Sequence, residues 1–422
     1  VSDANMPLRA RVATSVSRTA AALSRAAGRG DGSVIGGWIG LKIEPELLRH
    51  LAVGRRIALV SGTNGKTTTT RLSAAAVAVA GRVATNSYGA NMPTGHTSAL
   101  AKAGTTPYAV LEVDEHYLPQ VIGATDAEVV ALLNLSRDQL DRAKEVAMMA
   151  QLWRQCLAAH PAVRVIANAD DPMVVWAAHA ATAVTWFSAG QRWTDDSWVC
   201  PACGAHIARE EADSGGLPPA GPGDWRCTGC DLRRPTPQWS VEDDGIVGPD
   251  GRWHKVALQL PGRVNLGNAA TALALADAFD VRPERAVPKL AEVTSIAGRY
   301  AVVERDGRRI RLLLAKNPAS WLEAFDMATP APTLLSINAR DPDGLDTSWL
   351  FDVDFAPLRG RELLITGDRA YDLAVRLTVN DVPFRHVPTF AEAVTGVPAG
   401  PLEVIANYTA FQDIRAELDR VL

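Results

Sequence analysis

Three groups of residues in this sequence have the types and spacing that chemistry requires. The first is Ser61-Gly62-Thr63-Asn64-Gly65-Lys66-Thr67-Thr68, which follows a short apolar run and precedes a helix-forming stretch. Glycines there let backbone N–H groups close on phosphate oxygens, and the helix start adds its positive dipole end. Lys66 is spaced to reach the β- and γ-phosphates of a nucleotide, and the Thr67 hydroxyl to reach Mg2+. The strict phosphate-loop pattern would put glycine at position 60, where Val60 stands, so the form here is the shorter G-x-x-G-K-T. The second group is Val110-Leu111-Glu112-Val113-Asp114-Glu115, an apolar strand ending in acids. In a parallel sheet that end lies beside the phosphate loop, so either Glu112 or Asp114 is expected to hold the magnesium ion. Asn168-Ala169-Asp170-Asp171-Pro172 closes another strand at the same edge, with residue types that also serve as turn and cap groups.

The third group is Cys200-x-x-Cys203 and Cys227-x-x-Cys230, with 23 residues between the pairs. Each turn points two thiolates at one ion, and two turns complete a tetrahedron with metal–sulfur distances of about 2.3 Å. All four places are cysteine, which leaves none for a catalytic water, so a structural Zn2+ is expected. The chain has five cysteines, too few and too clustered for a disulfide framework, and Cys156 is left as a buried thiol on a helix.

Positioning these groups calls for a layered sheet. Apolar strands are expected at Ile57–Val60, Tyr108–Val113, Val129–Leu133 and Val163–Ala167, and helices at Lys66–Ala80, 143–159 and 171–181. That alternation predicts an α/β, mostly parallel, doubly wound sheet. The rhythm breaks at 191–252, rich in Gly, Pro, Trp and Cys, which reads as a small inserted module. It resumes with Val256–Leu260 and a helix Asn268–Phe279. Three segments are expected: an N-terminal helical segment 1–50, a central domain 51–297 carrying the module, and a C-terminal domain 298–422.

Composition limits the function classes. The 43 Lys+Arg against 47 Asp+Glu leave a formal net charge of −4, which excludes a generally basic nucleic-acid coat protein. Within 200–240, four arginines face five acids, so the cysteine module is not expected to bind nucleic acid. No apolar run is long enough for a transmembrane helix, and no cleavable leader is evident, so the expected location is the cytoplasm or the inner face of the plasma membrane. Residues 8–29 hold five arginines and no acid, with Leu8, Val12, Val16 and Leu23 near helical spacing. This segment reads either as a membrane-surface helix or, preferred here, as a terminal helix packed on the first domain.

G-T-N-G-K-T-T at 62–68, Glu112, Asn134 with Asp138-Gln139-Leu140-Asp141, N-A-D-D at 168–171, L-P-G-x-x-N-x-x-N at 260–268 and Gly298-Arg299 stand together in one order. That order resembles the Mur ligase family over nearly the whole chain. The resemblance implies a phosphate-loop, parallel-sheet central domain with an inserted four-cysteine zinc ribbon, and a Rossmann-like α/β C-terminal domain. It implies that ATP phosphorylates a substrate carboxylate and that an amine attacks the acyl phosphate. Gly62 to Thr68 and Asn268 would then serve the nucleotide, with Asn168 and Asp171 on the adenine side and Arg299 reaching the phosphates from the hinge.

Two departures narrow the resemblance. Gln139 stands where amino-acid-adding members usually carry a histidine, and Met148-Met149-Ala150-Gln151-Leu152-Trp153 lacks their lysine. An amino-acid-adding or folylpolyglutamate synthase-like ligase is therefore the alternative reading. The ribbon and the missing lysine together resemble the amidating branch of the family. That branch implies amidation of the α-carboxyl of D-isoglutamate in the lipid II stem peptide, with ammonia from a GatD-type glutaminase partner. In the C-terminal segment, D-G-x-D-x-S-W at 343–349 is similar to a motif of that branch. There an aspartate of the synthetase is expected to complete the partner's Cys–His pair, Asp346 being the first choice and Asp352 the second.

Overall fold

A computed structural model describes residues 6–27, 32–86, 89–137, 146–209, 224–294 and 299–419. Asp138-Gln139-Leu140-Asp141, Gly298, Arg29 and the acids at 210–213 lie outside the described residues. The chain forms two compact units. The first comprises Val1–Leu135, Glu145–Leu260 and Val264–Thr294, and the second Ser136–Lys144, Pro261–Arg263 and Ser295–Leu422.

The first unit opens with helices α1 (Leu8–Ala26), α2 (Ile35–Ile43) and α3 (Leu47–Ala52). Then β1 (Arg56–Ser61), α4 (Lys66–Val77), β2 (Val83–Ala84), α5 (Pro93–Ala103) and β3 (Tyr108–Glu112) follow. The alternation continues through α6 (Leu118–Thr125), β4 (Val129–Leu132), α7 (Val146–Ala159), β5 (Arg164–Asn168), α8 (Pro172–Ala178) and β6 (Ala183–Ser188). Strands β7 (Ile207–Arg209) and β8 (Trp225–Cys227) form a separate hairpin-like sheet. Strands β9 (Trp239–Glu242), β10 (Gly245–Val247) and β11 (Trp253–Lys255) return to the main sheet, and α9 (Arg263–Ala278) and α10 (Pro283–Ala291) close the segment.

The main sheet runs β11-β10-β9-β6-β5-β4-β1-β3-β2, parallel from β2 to β9 and antiparallel beyond. Its strands are apolar on both faces. Ile57, Leu59, Leu111, Val130 and Leu132 join one core, while Ala58, Val60, Val110, Val129 and Ala131 join another. That alternation is what a parallel sheet covered by helices on both sides requires.

Three expectations change here. The segment Val256–Leu260 forms no strand, and Trp253–Lys255 does instead. The inserted module also ends sooner than 252. Trp239, Val241 and Ile246 enter the core on the sheet face of Val60, so 239–255 extend the main sheet and only the stretch before Gln238 stands apart. The helix α1 is packed on the first unit, but not by its expected stripe. It buries Ala10, Ala13, Thr14 and Ser17, and leaves Leu8, Val12 and Leu23 exposed. The reason is close approach to α2: a Cβ at Gly36 would lie 2.7 Å from the Ser17 carbonyl oxygen, which only a small-residue face admits.

At the amino edge of the sheet Glu128 binds β1 and β5 together. It accepts from Arg56 Nε and Nη2 at 2.8 and 2.7 Å and from Arg164 Nη2 at 2.6 Å. The Arg56 hydrogen bonds hold its carboxyl below the usual value of 4.5. A depressed acid contributes stability that is present above its unfolded pKa and lost as pH falls through the folded one. Glu128→Gln is therefore expected to lower stability by about 1 kcal/mol at pH 7. The difference in urea midpoint between the two proteins should shrink as pH falls below 4.5 and vanish below the depressed folded pKa.

The second unit contains β12 (Tyr300–Arg305), β13 (Arg308–Leu314), α11 (Pro318–Met327), β14 (Thr333–Ser336), β15 (Leu363–Thr366), α12 (Ala370–Val379), β16 (Arg385–His386), α13 (Phe390–Thr395), β17 (Gly400–Ala406) and α14 (Tyr408–Asp419). Its sheet order is β12-β13-β17-β14-β15-β16, with only β12 antiparallel. Asn317 opens α11 with a capping box to Ser320, with Pro318 at the first helical position.

Candidate functional site: a phosphate loop, a four-cysteine cluster and a braced acidic loop

The loop between β1 and α4 is shaped by two glycines. Gly62 has φ +144°, and a Cβ there would meet Leu133 Cβ at 2.8 Å. Gly65 has φ +84°, and a Cβ there would meet the Asn268 Oδ1 at 2.8 Å. Asn134 clamps the loop from β4: its carbonyl accepts from the Thr63 N–H at 2.9 Å and its Oδ1 from the Asn64 N–H at 2.9 Å. Those two N–H groups are therefore taken within the loop. The first turn of α4, with Thr67 and Thr68, supplies backbone N–H groups that have no helical acceptor. Asn268 supports the loop from α9, accepting from the Thr69 hydroxyl at 3.0 Å and donating to Asn265 at 3.1 Å.

Lys66 is buried, and its Nζ donates to the Gly62 carbonyl at 2.6 Å and to Glu115 at 3.0 Å. Glu115 is the residue that sequence reading missed. It stands in the quoted acid run, but its pairing crosses from one strand end to another helix start, and no local pattern reveals that. Trp153 on α7 fixes it by donating to its carbonyl at 3.1 Å.

Glu112 ends β3 opposite Val60, so it reaches the carboxyl edge beside the loop. Its backbone is held by Asn86 and by the His96 ring. Its carboxylate is buried and makes no hydrogen bond or ion pair with any described residue. The Thr67 hydroxyl likewise has no hydrogen-bond partner among the described residues. Two unengaged oxygen donors suit a hard cation such as Mg2+. Asp114, the other candidate, commits one carboxylate oxygen to the His116 N–H at 3.0 Å.

At the end of β5 the expected pair divides. Asn168 accepts from the Asp170 N–H at 2.9 Å and reaches Gln191 at 3.4 Å. Asp171 is fully buried as the N-cap of α8, accepting from Met173, Val174 and Leu135 N–H groups. Burial pushes its carboxyl up to about 6 against the pull of those donors. Its oxygens are taken by backbone N–H groups, so it shapes the loop between β5 and α8. Asp170 is a second missed residue: it accepts from Ser188, from the Ala189 and Gly190 N–H groups, and from Arg234 at 2.9 Å.

Arg234 comes from the cysteine module, as does Trp225, whose indole donates to the Ala169 carbonyl at 3.0 Å. The module thus braces the 168–171 loop. Its four thiols lie together, with Cys200 Sγ 3.7 Å from Cys230 Sγ and Cys203 Sγ 3.4 Å from Cys227 Sγ. A tetrahedral zinc–thiolate site has sulfur–sulfur edges of about 3.8 Å, and a disulfide would need about 2.05 Å. The cluster therefore fits a metal ion. Cys156 is buried on α7, and burial pushes its thiol up to about 11, which leaves it unreactive.

In the second unit the loop after β14 is pinned at both ends. Asp343 accepts from the Thr409 N–H at 2.8 Å, and Trp349 stacks on Trp321 in the core. Between them Asp346 is exposed, with one oxygen accepting from the Ser348 N–H at 2.8 Å, which holds its carboxyl below the usual value. Asp352 is instead paired with Arg137 at 3.3 Å. Arg299 enters β12, and its carbonyl accepts from Leu314.

Residues 60–199 match the Mur ligase middle domain, and residues 314–411 match the MurT ligase C-terminal domain. The chain is 27% identical, over 98% of both chains, to "Lipid II isoglutaminyl synthase (glutamine-hydrolyzing) subunit MurT" of Staphylococcus aureus (strain COL). It is 27% identical to the subunit of the same name from Streptococcus pneumoniae (strain ATCC BAA-255 / R6), over 92% of both chains. Among solved structures, a pseudomurein peptide ligase type C from Methanothermus fervidus superimposes with a TM-score of 0.65 at 17% identity, over 88% of this chain and 79% of that one. At that identity the likeness speaks for the fold alone. Fold, phosphate loop and sequence matches agree: the chain belongs to the Mur ligase family, in its MurT branch.

Proposed function

We propose that this chain is the synthetase subunit of a glutamine-hydrolysing lipid II isoglutaminyl synthase. The observation that carries the reading is end-to-end similarity to subunits of that name, joined to an intact phosphate loop. The reaction is amidation of the α-carboxyl of D-isoglutamate in the lipid II stem peptide. A carboxylate oxygen attacks the γ-phosphorus of ATP, ADP leaves, and the acyl phosphate forms. Ammonia then attacks the carbonyl carbon, phosphate leaves, and a proton is lost to give isoglutamine.

Lys66 turns from Glu115 to the incoming phosphates. Thr67 and Glu112 would hold Mg2+, which neutralises triphosphate charge when bound. Asn168 lies on the adenine side of the nucleotide. A GatD-type glutaminase supplies ammonia, and Asp346 orients that partner's histidine base. The four cysteines hold Zn2+ as a structural ion. The substrate is lipid-linked, so the enzyme works in the cytoplasm at the inner face of the membrane. In the complex with its partner, ATP and lipid II should give amidated lipid II with either glutamine or ammonium. ADP formation driven by an amino acid but not by ammonium would overturn this reading in favour of an amino-acid-adding ligase.

The zinc assignment has its own consequence. Purified protein is expected to carry one zinc ion per chain by elemental analysis, and Cys227→Ser to lose it. Because Trp225 and Arg234 brace residues 169–170, metal loss should also weaken ATP binding measured by calorimetry. Full ATP affinity in a metal-free variant would separate the ribbon from the nucleotide site.

A further inference from the structure

We infer that the outward face of α1 and α2 is a docking surface for an anionic lipid membrane. The observation is an inverted helix. α1 packs on the unit through Ala10, Ala13, Thr14 and Ser17, and sends its large aliphatic residues into solvent. Leu8 is 74% exposed, Leu23 65% and Val12 about half, on one side of the helix. The adjoining α2 does the same: Gly36 and Gly40 approach Ser17, while Ile35 and Trp38 face outward. Burying these side chains inward would have been the ordinary use of apolar residues.

The charge beside them selects the occupant. Residues 8–29 contain five arginines and no acid, in a chain whose net charge is −4. Arg11 is exposed and has no partner among the described residues. Lys42 stands 5.8 Å over the Trp38 ring, an arrangement of cation and indole that suits the boundary between headgroups and acyl chains. Arg9 and Arg18 are engaged: Arg9 donates to the Ile43 carbonyl and lies 3.7 Å from Glu44, and Arg18 donates to the Ala101 carbonyl at 2.6 Å. Exposed aliphatics, one tryptophan and flanking cations without opposing acids on α1 match an anionic bilayer surface, which takes up apolar side chains and pairs with arginine at once. A protein partner for such a face would need acids at matched positions; a lipid surface needs only charge density. No described helix is long and apolar enough to cross a membrane, so the contact is lateral.

This inference deepens the lipid-linked-substrate reading and rests on it only for its purpose, because docking is measured without that substrate. The full chain, in complex with its glutaminase partner, is floated with vesicles of phosphatidylglycerol and phosphatidylcholine, and with phosphatidylcholine alone, both free of lipid II. Binding to the anionic vesicles only, weakened by salt, is the expected result. Leu8→Ser with Val12→Ser and Leu23→Ser, and separately Arg11→Glu with Trp38→Ser, should each weaken it by about tenfold or more. These positions are exposed, so thermal melting and amidation of a water-soluble lipid II analogue should be unchanged. Amidation of lipid II in the same vesicles should slow. No binding by the unaltered complex, or equal binding by both variants, overturns the proposal. So does loss of the glutaminase from the variants on gel filtration with vesicle binding intact, which would make the face a protein interface. If no substrate is amidated at all, the functional reading fails while flotation still decides the docking surface.

Discussion

Amidation by a Lys66→Ala variant is expected to fall about 10²- to 10³-fold, the usual loss when a positioned charge at a transferring group is removed. In the ligand-free loop Lys66 is already satisfied, by the Gly62 carbonyl and by Glu115. A triphosphate carries more charge than one carboxylate, so it draws the ammonium group across, and Glu115 holds the lysine ready in the interim. The pairing complicates the simple variant. Glu115 is nearly buried, with 11% of its side chain exposed, and Lys66→Ala leaves that carboxylate alone. Breaking a buried pair from one side costs roughly 3–5 kcal/mol. Adding Glu115→Gln removes the stranded charge. The double variant should recover most of the melting temperature and none of the amidation. Recovery of both would make Lys66 a structural residue and withdraw the phosphate role.

The second large effect lies in the other unit. Asp346→Asn is expected to lower glutamine-driven amidation about 10⁴-fold, the scale on which loss of the orienting carboxylate in a triad acts. Ammonium-driven amidation should persist, since no acyl-transfer group is touched. The loop makes this test clean. Asp343 and Trp349 anchor it independently, and Asp346 commits one oxygen to the Ser348 N–H and exposes the rest. Asparagine keeps an acceptor for that N–H, so the turn should survive. Asp352→Asn should change glutamine-driven turnover little, because Asp352 is engaged by Arg137. Equal loss with both nitrogen sources in Asp346→Asn would place Asp346 in the synthetase reaction and defeat the in-trans role.

The features legible in the sequence were the local ones. Glycines at 62 and 65, the lysine after them and the helix that follows all act within a few residues, so their spacing encodes their geometry. The same holds for the two C-x-x-C turns, and for the strand ending in Glu112. Misreadings arose where a residue's partner lies far along the chain. Asp171 has the composition of a nucleotide ligand, yet its oxygens are taken by its own helix start and by Leu135, 36 residues away. Asp170 looked like a turn residue and is the anchor for Arg234, 64 residues on. The cysteine module appeared to extend to 252 because tryptophan and glycine dominate its composition. Trp239 and Val241 are nonetheless core residues of the main sheet.

What the sequence determined by itself is the chemistry on offer: a phosphate loop, acids at a strand end, four thiols in two turns, and an acidic motif in the last segment. Each is written in consecutive residues, where backbone geometry leaves little choice. The tertiary structure decided which of those groups remain open. Glu112 and Asp346 keep free carboxylate oxygens, whereas Asp171 loses one oxygen to the Leu135 N–H and Asp352 pairs with Arg137, contacts that form only when distant segments meet. It also decided which face of α1 turns inward, because close approach to Gly36 and Gly40 favours small side chains over large ones and so sends the aliphatic stripe outward.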